Sequence, residues 1–231
     1  MNSYEKYYLE SLYPLQDGVM NIIQKLNTPF YLTGGTALSR HYFNHRYSDD
    51  LDLFVNSDDS YIDYVELIYF KLDELSIANN FVLDKQLTKR AESFSQFFIL
   101  PLDNADIRLK IDLINDVASN FGTKEQNKVL GVVDSWRNIL SNKFSAIYRF
   151  EPKDLADIWV ICKNKSINWD EIITETKSKE AGIDTDGIYK VLTSVPENQL
   201  AKVKWTSEVD CKKVKEELVE IAKDIFLGNN H

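Results

Sequence analysis

Asp50 and Asp52 are two carboxylates separated by one residue, within His45-Arg46-Tyr47-Ser48-Asp49-Asp50-Leu51-Asp52-Leu53-Phe54. On an extended chain, residues i and i+2 share a face, so Leu51 and Leu53 point the other way, into a core. Carboxylates held this close repel each other, and a divalent cation between them offsets that repulsion. Oxygen ligands on a rigid strand suit Mg²⁺, which keeps water and phosphate oxygens in its remaining positions. The bland alternative is a solvated acidic strand face. Upstream, Leu32-Thr33-Gly34-Gly35-Thr36-Ala37-Leu38 reads as a strand that ends in two glycines before a helix. Glycine lets a ligand approach the backbone, and a helix start offers unpaired N–H groups, a combination suited to phosphate. Here the alternative is a plain turn. The glycine turn and Ser48, both just upstream of the carboxylate pair, favour the metal and phosphate reading.

Asp112 is the natural third carboxylate. It lies on the polar side of an alternating segment in which Ile107, Leu109, Ile111 and Leu113 face one way and Asp106, Arg108, Lys110 and Asp112 the other. If that strand lies beside the Asp50–Asp52 strand, three carboxylates converge, enough to hold two metal ions for an in-line displacement. Lys143 falls inside an apolar helical stripe of Trp136, Ile139, Leu140, Phe144 and Ile147. Its ammonium either reaches a triphosphate or an Asp of the site, or snorkels to solvent past the apolar edge. Asp154 and Asp157 are neighbours at i and i+3 on the next helix. Asp154 flanks the Leu155/Ile158/Trp159/Cys162 stripe and also suits the first turn after Pro152, where the helix dipole favours a negative charge. Asp157 lies farther out.

The elements that must position these groups follow from periodicity. Helices are predicted over 15–26, Thr36 to Phe43 and about Ser60 to Ala78, with strands over Phe30–Leu32, Leu51–Val55, 81–88, 94–100 and 106–114. After Gly122 the pattern reads as helical to the end, over 134–149, 153–163, 169–178, 186–194 and 208–227. A soft boundary falls near residue 120.

Composition narrows the function classes. The chain has 231 residues, and its 8 Gly and 5 Pro disfavour a turn-rich β-sandwich. With 27 basic against 36 acidic residues, the net charge of −9 excludes a general nucleic-acid binder. The basic candidates for a local patch are Lys85/Lys89/Arg90 and Lys202/Lys204/Lys212/Lys213/Lys215. The last group is interleaved with Glu216, Glu217 and Glu220, which favours a solvated helix face. Cys162 and Cys211 lack metal-ligand spacing and fit a reducing compartment. Met1 to Glu10 alternates charge and Tyr and does not read as a signal peptide; the expected location is cytoplasmic. His41, His45 and His231 form no ligand set and are expected at the surface.

Taken together, the Gly34-Gly35-Thr36-Ala37-Leu38 turn, Arg46-x-Ser48-x-Asp50-Leu51-Asp52-Leu53, Lys143, and Arg149-x-x-Pro152-Lys153-Asp154-x-x-Asp157 resemble the abortive-infection toxin nucleotidyltransferases. These are the AbiEii/AbiGii family of the DNA polymerase β-like superfamily, and the likeness runs over about residues 30 to 163. The resemblance implies an α+β fold. A nucleotidyltransferase core with a mixed twisted sheet and flanking helices would occupy 1–120, and a C-terminal helical lobe, 121–231, would contribute Lys143 and Asp157 to the cleft. It implies Mg²⁺ or Mn²⁺ as cofactor, NTP as substrate, and a tRNA 3′ end or a protein as acceptor. It also implies a cognate antitoxin gene product that acts without tight direct binding, and neither a membrane nor DNA as partner. By the same resemblance Gly34, Gly35, Thr36 and Ser48 bind the nucleotide phosphates. Asp50 and Asp52 hold metal, Lys143 holds phosphate, and Asp157 assists the chemistry. Asp112 enters as a metal ligand from strand geometry, and it or Asp157 would help deprotonate the acceptor hydroxyl. Two further readings stay open: a non-catalytic nucleotide- or partner-binding protein on this scaffold, and a transferase acting on a small cationic acceptor such as an aminoglycoside.

Overall fold

The computed structural model describes residues 3–76, 78, 81–104 and 106–229. Met1 and Asn2 of the charged N-terminal stretch, Ile77 near the end of the predicted Ser60–Ala78 helix, and His231 lie outside the described residues. The chain divides into two compact units. The first comprises Met1–Ala37, Ser48–Ala118 and Lys124–Asp134; the second comprises Leu38–Tyr47, Ser119–Thr123 and Ser135–His231.

The first unit is built on one mixed sheet. Its strands are β1 (Tyr31–Thr33), β2 (Leu51–Asn56), β3 (Phe81–Leu83), β4 (Lys89–Arg90), β5 (Phe94–Pro101), β6 (Leu109–Asp116), β7 (Glu125–Asn127) and β8 (Gly131–Val133). Their order is β3-β5-β6-β2-β1-β8-β7, with β4 paired to β5. The pairs β2/β6 and β1/β8 are parallel, and the others are antiparallel. Alternation along β2 buries Leu51, Leu53 and Val55, whose parallel partners on β6 include Ile111 and Leu113. Burying one such aliphatic side chain contributes about 1.5–3 kcal/mol. This face therefore fixes the register, and a slip by one residue would turn Asp50 and Asp52 inward.

Among the described residues, helices α1 to α4 precede or follow these strands. Helix α1 (Ser3–Tyr7) runs through a π-helical turn, Tyr8–Leu12, into α2 (Tyr13–Gln24). Pro14 has no N–H to offer the Glu10 carbonyl, and the wider turn just before it absorbs the missing bond. Helix α3 (Gly34–Ala37) continues into a second π-helical turn, Leu38–Phe43. Helix α4 (Tyr61–Leu75) buries Tyr61, Val65, Ile68 and Leu72, and α2 buries Val19, Ile22 and Ile23.

The second unit is helical. Its helices are α5 (Trp136–Ser145), α6 (Pro152–Asn164), α7 (Trp169–Lys179), α8 (Thr185–Ser194), α9 (Glu197–Leu200) and α10 (Cys211–Leu227). Their starts carry the expected acceptors: Ser135 caps α5, Asn168 caps α7, Asp184 caps α8 and Asp210 caps α10. α6 is the central rod, with every residue from Asp154 to Cys162 buried, and it packs on α5 and α10.

Several sequence expectations need correction. The stretch after Gly122 is not wholly helical, because β7 and β8 form a hairpin. Three-residue strands are too short to show a period of two. Residues 3–12 are helical although their apolar positions are sparse. The expected strand 81–88 ends at Leu83, after which a turn leads to β4, and β6 begins at Leu109 rather than at 106. Among the described residues no helix is long and apolar enough to cross a membrane.

Candidate functional site

Two groups of residues carry the chemistry, each within one unit. In the first unit, sheet register builds a cross-strand row on the polar face. Thr33 lies opposite Asp52, Asp52 beside Asp112, and Asp112 opposite Gln96. The next row is apolar, Tyr31–Phe54–Ile114–Phe94. Asp112 thus lies beside Asp52, and β6 neighbours β2. The Gln96 amide donates to Asp112 Oδ1 at 2.8 Å.

Lys110, two residues before Asp112 on the same face, places its ammonium 2.9 Å from Asp112 Oδ2 and 3.1 Å from Asp50 Oδ2. Burial alone would push this ammonium toward neutrality. The hydrogen bond to Asp112 and the charges of Asp50 and Asp112 more than offset it, so its pKa is raised above the ordinary lysine value. Among the described residues no group of three or more His, Cys, Asp or Glu side chains is arranged to hold a metal ion. The carboxylates that flank Lys110 are bridged by an internal cation instead.

The glycine turn touches the same carboxylates. Gly34 has φ +69°, and a Cβ there would lie 2.5 Å from Asp52 Oδ2. The turn needs glycine for its backbone angle and for the room it leaves to Asp52. Gly34→Ala is expected to lose about 1–2 kcal/mol to left-handed strain and to displace the Asp52 carboxylate. Nucleotidyl transfer should then fall further than the drop in melting temperature accounts for; transfer at the wild-type level would separate Gly34 from the site.

Thr36 is wholly buried; its hydroxyl donates to the Asp50 carbonyl and shares a 2.9 Å hydrogen bond with Ser48 Oγ. The Ser48–Asp50 segment is braced by the N-terminal helix, whose side chains the sequence did not single out. Gln16 Nε2 donates to the carbonyls of Ser48 and Asp49 at 3.2 and 3.1 Å. Tyr8 Oη donates to Asp49 Oδ1 at 2.5 Å, and Tyr13 Oη accepts from the Ser48 N–H at 3.4 Å.

In the second unit a buried ionic cluster surrounds α6. Asp157 has no exposed surface, although helical spacing placed it away from the apolar stripe. Polar partners bury it rather than apolar ones. Arg46 is bidentate, Nε to Oδ1 and Nη2 to Oδ2, both at 2.7 Å. His45 Nε2 lies 2.8 Å from Oδ1, and Lys143 Nζ lies 2.7 Å from Oδ2. Lys143 also binds Asp154 Oδ1 at 2.5 Å, and Arg149 binds Asp154 Oδ2 at 2.9 Å. Of the outcomes open to Lys143, the structure has it engaging carboxylates, not snorkelling to solvent.

Burial would raise the Asp157 pKa, but the charges of Arg46 and Lys143 hold its carboxyl well below the usual carboxylate range. Burial would lower Lys143, and Asp157 and Asp154 keep it raised. His45, expected at the surface, is buried. Desolvation lowers its pKa despite the hydrogen bond to Asp157, so the ring is neutral at pH 7, Nε2–H donates to Asp157, and Nδ1 has no hydrogen-bond partner among the described residues. His41 is half-buried.

Part of each candidate basic patch is paired with carboxylates. Lys85 binds Asp73 and Arg90 binds Glu66, each at 2.8 Å. Lys212 and Lys213 lie 3.9 Å from Glu216 and Glu217.

Comparison with known proteins places these features in context. A family model described as nucleotidyl transferase AbiEii toxin, type IV TA system, matches residues 21–222. The structure of JHP933 from Helicobacter pylori superposes with a TM-score of 0.66 at 19% identity, covering 96% of this chain and 92% of that one. MenT4, a nucleotidyltransferase toxin from Mycobacterium tuberculosis H37Rv, superposes with a TM-score of 0.65 at 14% identity, covering 92% of this chain and 82% of that one. At these identities the likeness establishes a shared fold. No curated protein sequence matches significantly.

Proposed function

The chain belongs to the AbiEii nucleotidyl transferase toxin family of type IV toxin–antitoxin systems, and from that premise we propose that it moves a nucleoside monophosphate from an NTP to an acceptor hydroxyl. The proposed acceptor is a tRNA 3′ end or a protein, and the proposed cofactor is Mg²⁺ or Mn²⁺. The observation that carries this reading is the placement of Asp52 beside Asp112 in the sheet and against the Gly34 turn, with Asp50, just before β2, at the Lys110 ammonium.

The donor chemistry fits a divalent ion. Both side chains offer hard oxygen, and Mg²⁺ in phosphoryl-transfer sites commonly takes one or two carboxylates plus substrate phosphates. Asp50 already attracts the Lys110 ammonium, so the position favours positive charge. When bound, the ion supplies charge neutralisation at the α-phosphate and the leaving pyrophosphate. Asp50 and Asp52 would hold it. Gly34, half-buried at the turn, would let phosphate approach the backbone, and Ser48, fixed by Thr36 and Gln16, would contact the same oxygens. Most of the rate gain would come from positioning, as is general for phosphoryl transfer.

Asp112 and Asp157 take positioning roles in this proposal. Each Asp112 oxygen accepts from a neighbour, and Asp157 meets four donor atoms from three residues, with a carboxyl too acidic to serve as a base near pH 7. The family's system type supplies the further proposal of a cognate antitoxin that acts without tight binding.

Incubation of the purified protein with α-labelled or γ-labelled NTP, Mg²⁺ and a total RNA and protein extract tests the reading. The α label should attach to one acceptor class and the γ label to none. Absence of α label from every fraction would remove the proposed activity and leave nucleotide or partner binding.

A further inference from the structure

Lys110 is a cation built into the acidic face. It shares a strand face with Asp112, and its ammonium lies 2.9 Å from Asp112 and 3.1 Å from Asp50. The side chain is about 30% exposed, far less than a solvated surface lysine. Phe98 lies opposite it in register. Gln96 holds Asp112 Oδ1, which leaves Oδ2 for the ammonium. The geometry therefore supplies Lys110 with two anchors of different kinds. Asp112 is fixed by a neighbour on β5; Asp50 is a proposed metal ligand.

We propose that Lys110 is a positioning residue for the carboxylate pair, a tethered cation that bridges Asp50 and Asp112 when no divalent ion is bound and retreats to Asp112 alone when one binds. The inference rests on the assignment of Asp50 and Asp52 to metal. Its physical basis is competition. A divalent ion coordinated to Asp50 sits about 2.0–2.1 Å from the carboxylate oxygen. An ammonium hydrogen-bonded to the same carboxylate is then a close like charge. Even at the water-like limit, a unit charge a few ångströms from a doubly charged ion costs on the order of tenfold in affinity. Asp112 keeps the displaced ammonium paired, so the exchange leaves no orphaned charge. The consequence is an ordered preference: the bare protein binds metal weakly, and the triphosphate, whose charge compensates both cations, brings the metal with it. Asp112 thereby acts on metal through Lys110 and is not itself a ligand.

The test is a titration of Mn²⁺ without nucleotide, followed by the electron paramagnetic resonance of the free ion. Lys110→Met should bind Mn²⁺ at least about tenfold more tightly than the wild type, while Lys110→Arg, which keeps the charge, should stay weak. Asp50→Asn placed on Lys110→Met should abolish the gain. Should Lys110→Met melt early, Lys110→Gln removes the same charge and carries the same expected sign. Unchanged or weaker Mn²⁺ binding by the neutral variants would overturn the role of Lys110. A parallel titration with Mn²⁺ and a non-hydrolysable triphosphate separates this from failure of the metal assignment. If Asp50→Asn weakens that joint binding while Lys110→Met shows no gain, only the Lys110 role falls. If Asp50→Asn leaves joint binding untouched, the metal assignment falls and Lys110 with it.

Discussion

Asp50→Asn and Asp52→Asn are each expected to yield a folded protein whose transfer of α label is lower by at least about a thousandfold. The magnitude follows from what the carboxylates are asked to do. Removing one preorganised hydrogen-bond donor from a reaction centre costs about a hundred- to a thousandfold in turnover, and loss of a charge proposed to hold a divalent ion should exceed that. Retention of the fold follows from position. Both side chains are half-exposed on the polar side of the sheet, whereas the register of β2 is fixed by Leu51, Leu53 and Val55 behind them. Amide replaces carboxylate without a change of shape, so stability should move by less than about 1 kcal/mol. Asp50→Asn also relieves Lys110 of one partner while Asp112 keeps it paired. Thermal melts beside the labelling assay read both quantities. Transfer within tenfold of wild type in either variant would remove that carboxylate from the metal role.

Different parts of this protein were legible to different degrees, for physical reasons. The Leu51–Val55 strand, the alternating segment ending at Leu113, and the long helices announce themselves because one face of each is buried and the period repeats several times. The neighbouring of β2 and β6 was reachable only as a conditional, since sequence gives periodicity but not strand order. Lys110 stood in plain view on the polar face beside Asp112. What sequence could not supply was the third party, Asp50, that turns a surface lysine into a bridge.

The Asp157 environment was the least legible. Helical spacing describes how a residue faces an apolar core, and Asp157 is buried by charge. Its partners Arg46 and His45 lie 111 and 112 positions away in the chain. A signal did exist: from Asp154 to Cys162 every residue but the two carboxylates is apolar, and a helix hydrophobic all round that carries two carboxylates must pair both. The hairpin at β7 and β8 and the helix before residue 12 were missed for the ordinary reason that short elements carry too few residues to show a period.

The second large effect is on stability and falls on that buried cluster. The four buried charges, Asp154, Asp157, Lys143 and Arg46, balance as two negative against two positive. Asp157→Asn leaves Arg46 and Lys143 with one carboxylate between them. Breaking a buried pair by removing one partner costs about 3–5 kcal/mol, and for a chain of this size each kcal/mol moves the melting temperature by about 2–4 °C. A fall on the order of 10 °C is expected. Activity should fall with it through loss of the folded form and through release of Lys143. Adding Lys143→Met to Asp157→Asn removes the excess positive charge that the first substitution leaves in the cluster and should return part of the lost stability. Strictly additive losses in this double-mutant cycle would show that the two charges are not coupled.

The pH dependence gives an independent reading. The native Asp157 carboxyl is held below its unfolded value, so its contribution is complete above about pH 4 and is lost as pH falls through the native value. His45 acts earlier and in the same direction. Its native pKa lies below the ordinary 6.5, so below about that pH the unfolded chain binds more protons and stability declines on acidification. Denaturant midpoints measured from pH 8 to pH 3 should therefore fall in two stages in the wild type, and Asp157→Asn should remove the Asp157 contribution to the lower stage. A lower stage of unchanged size in that variant would place the acid-sensitive carboxylate elsewhere.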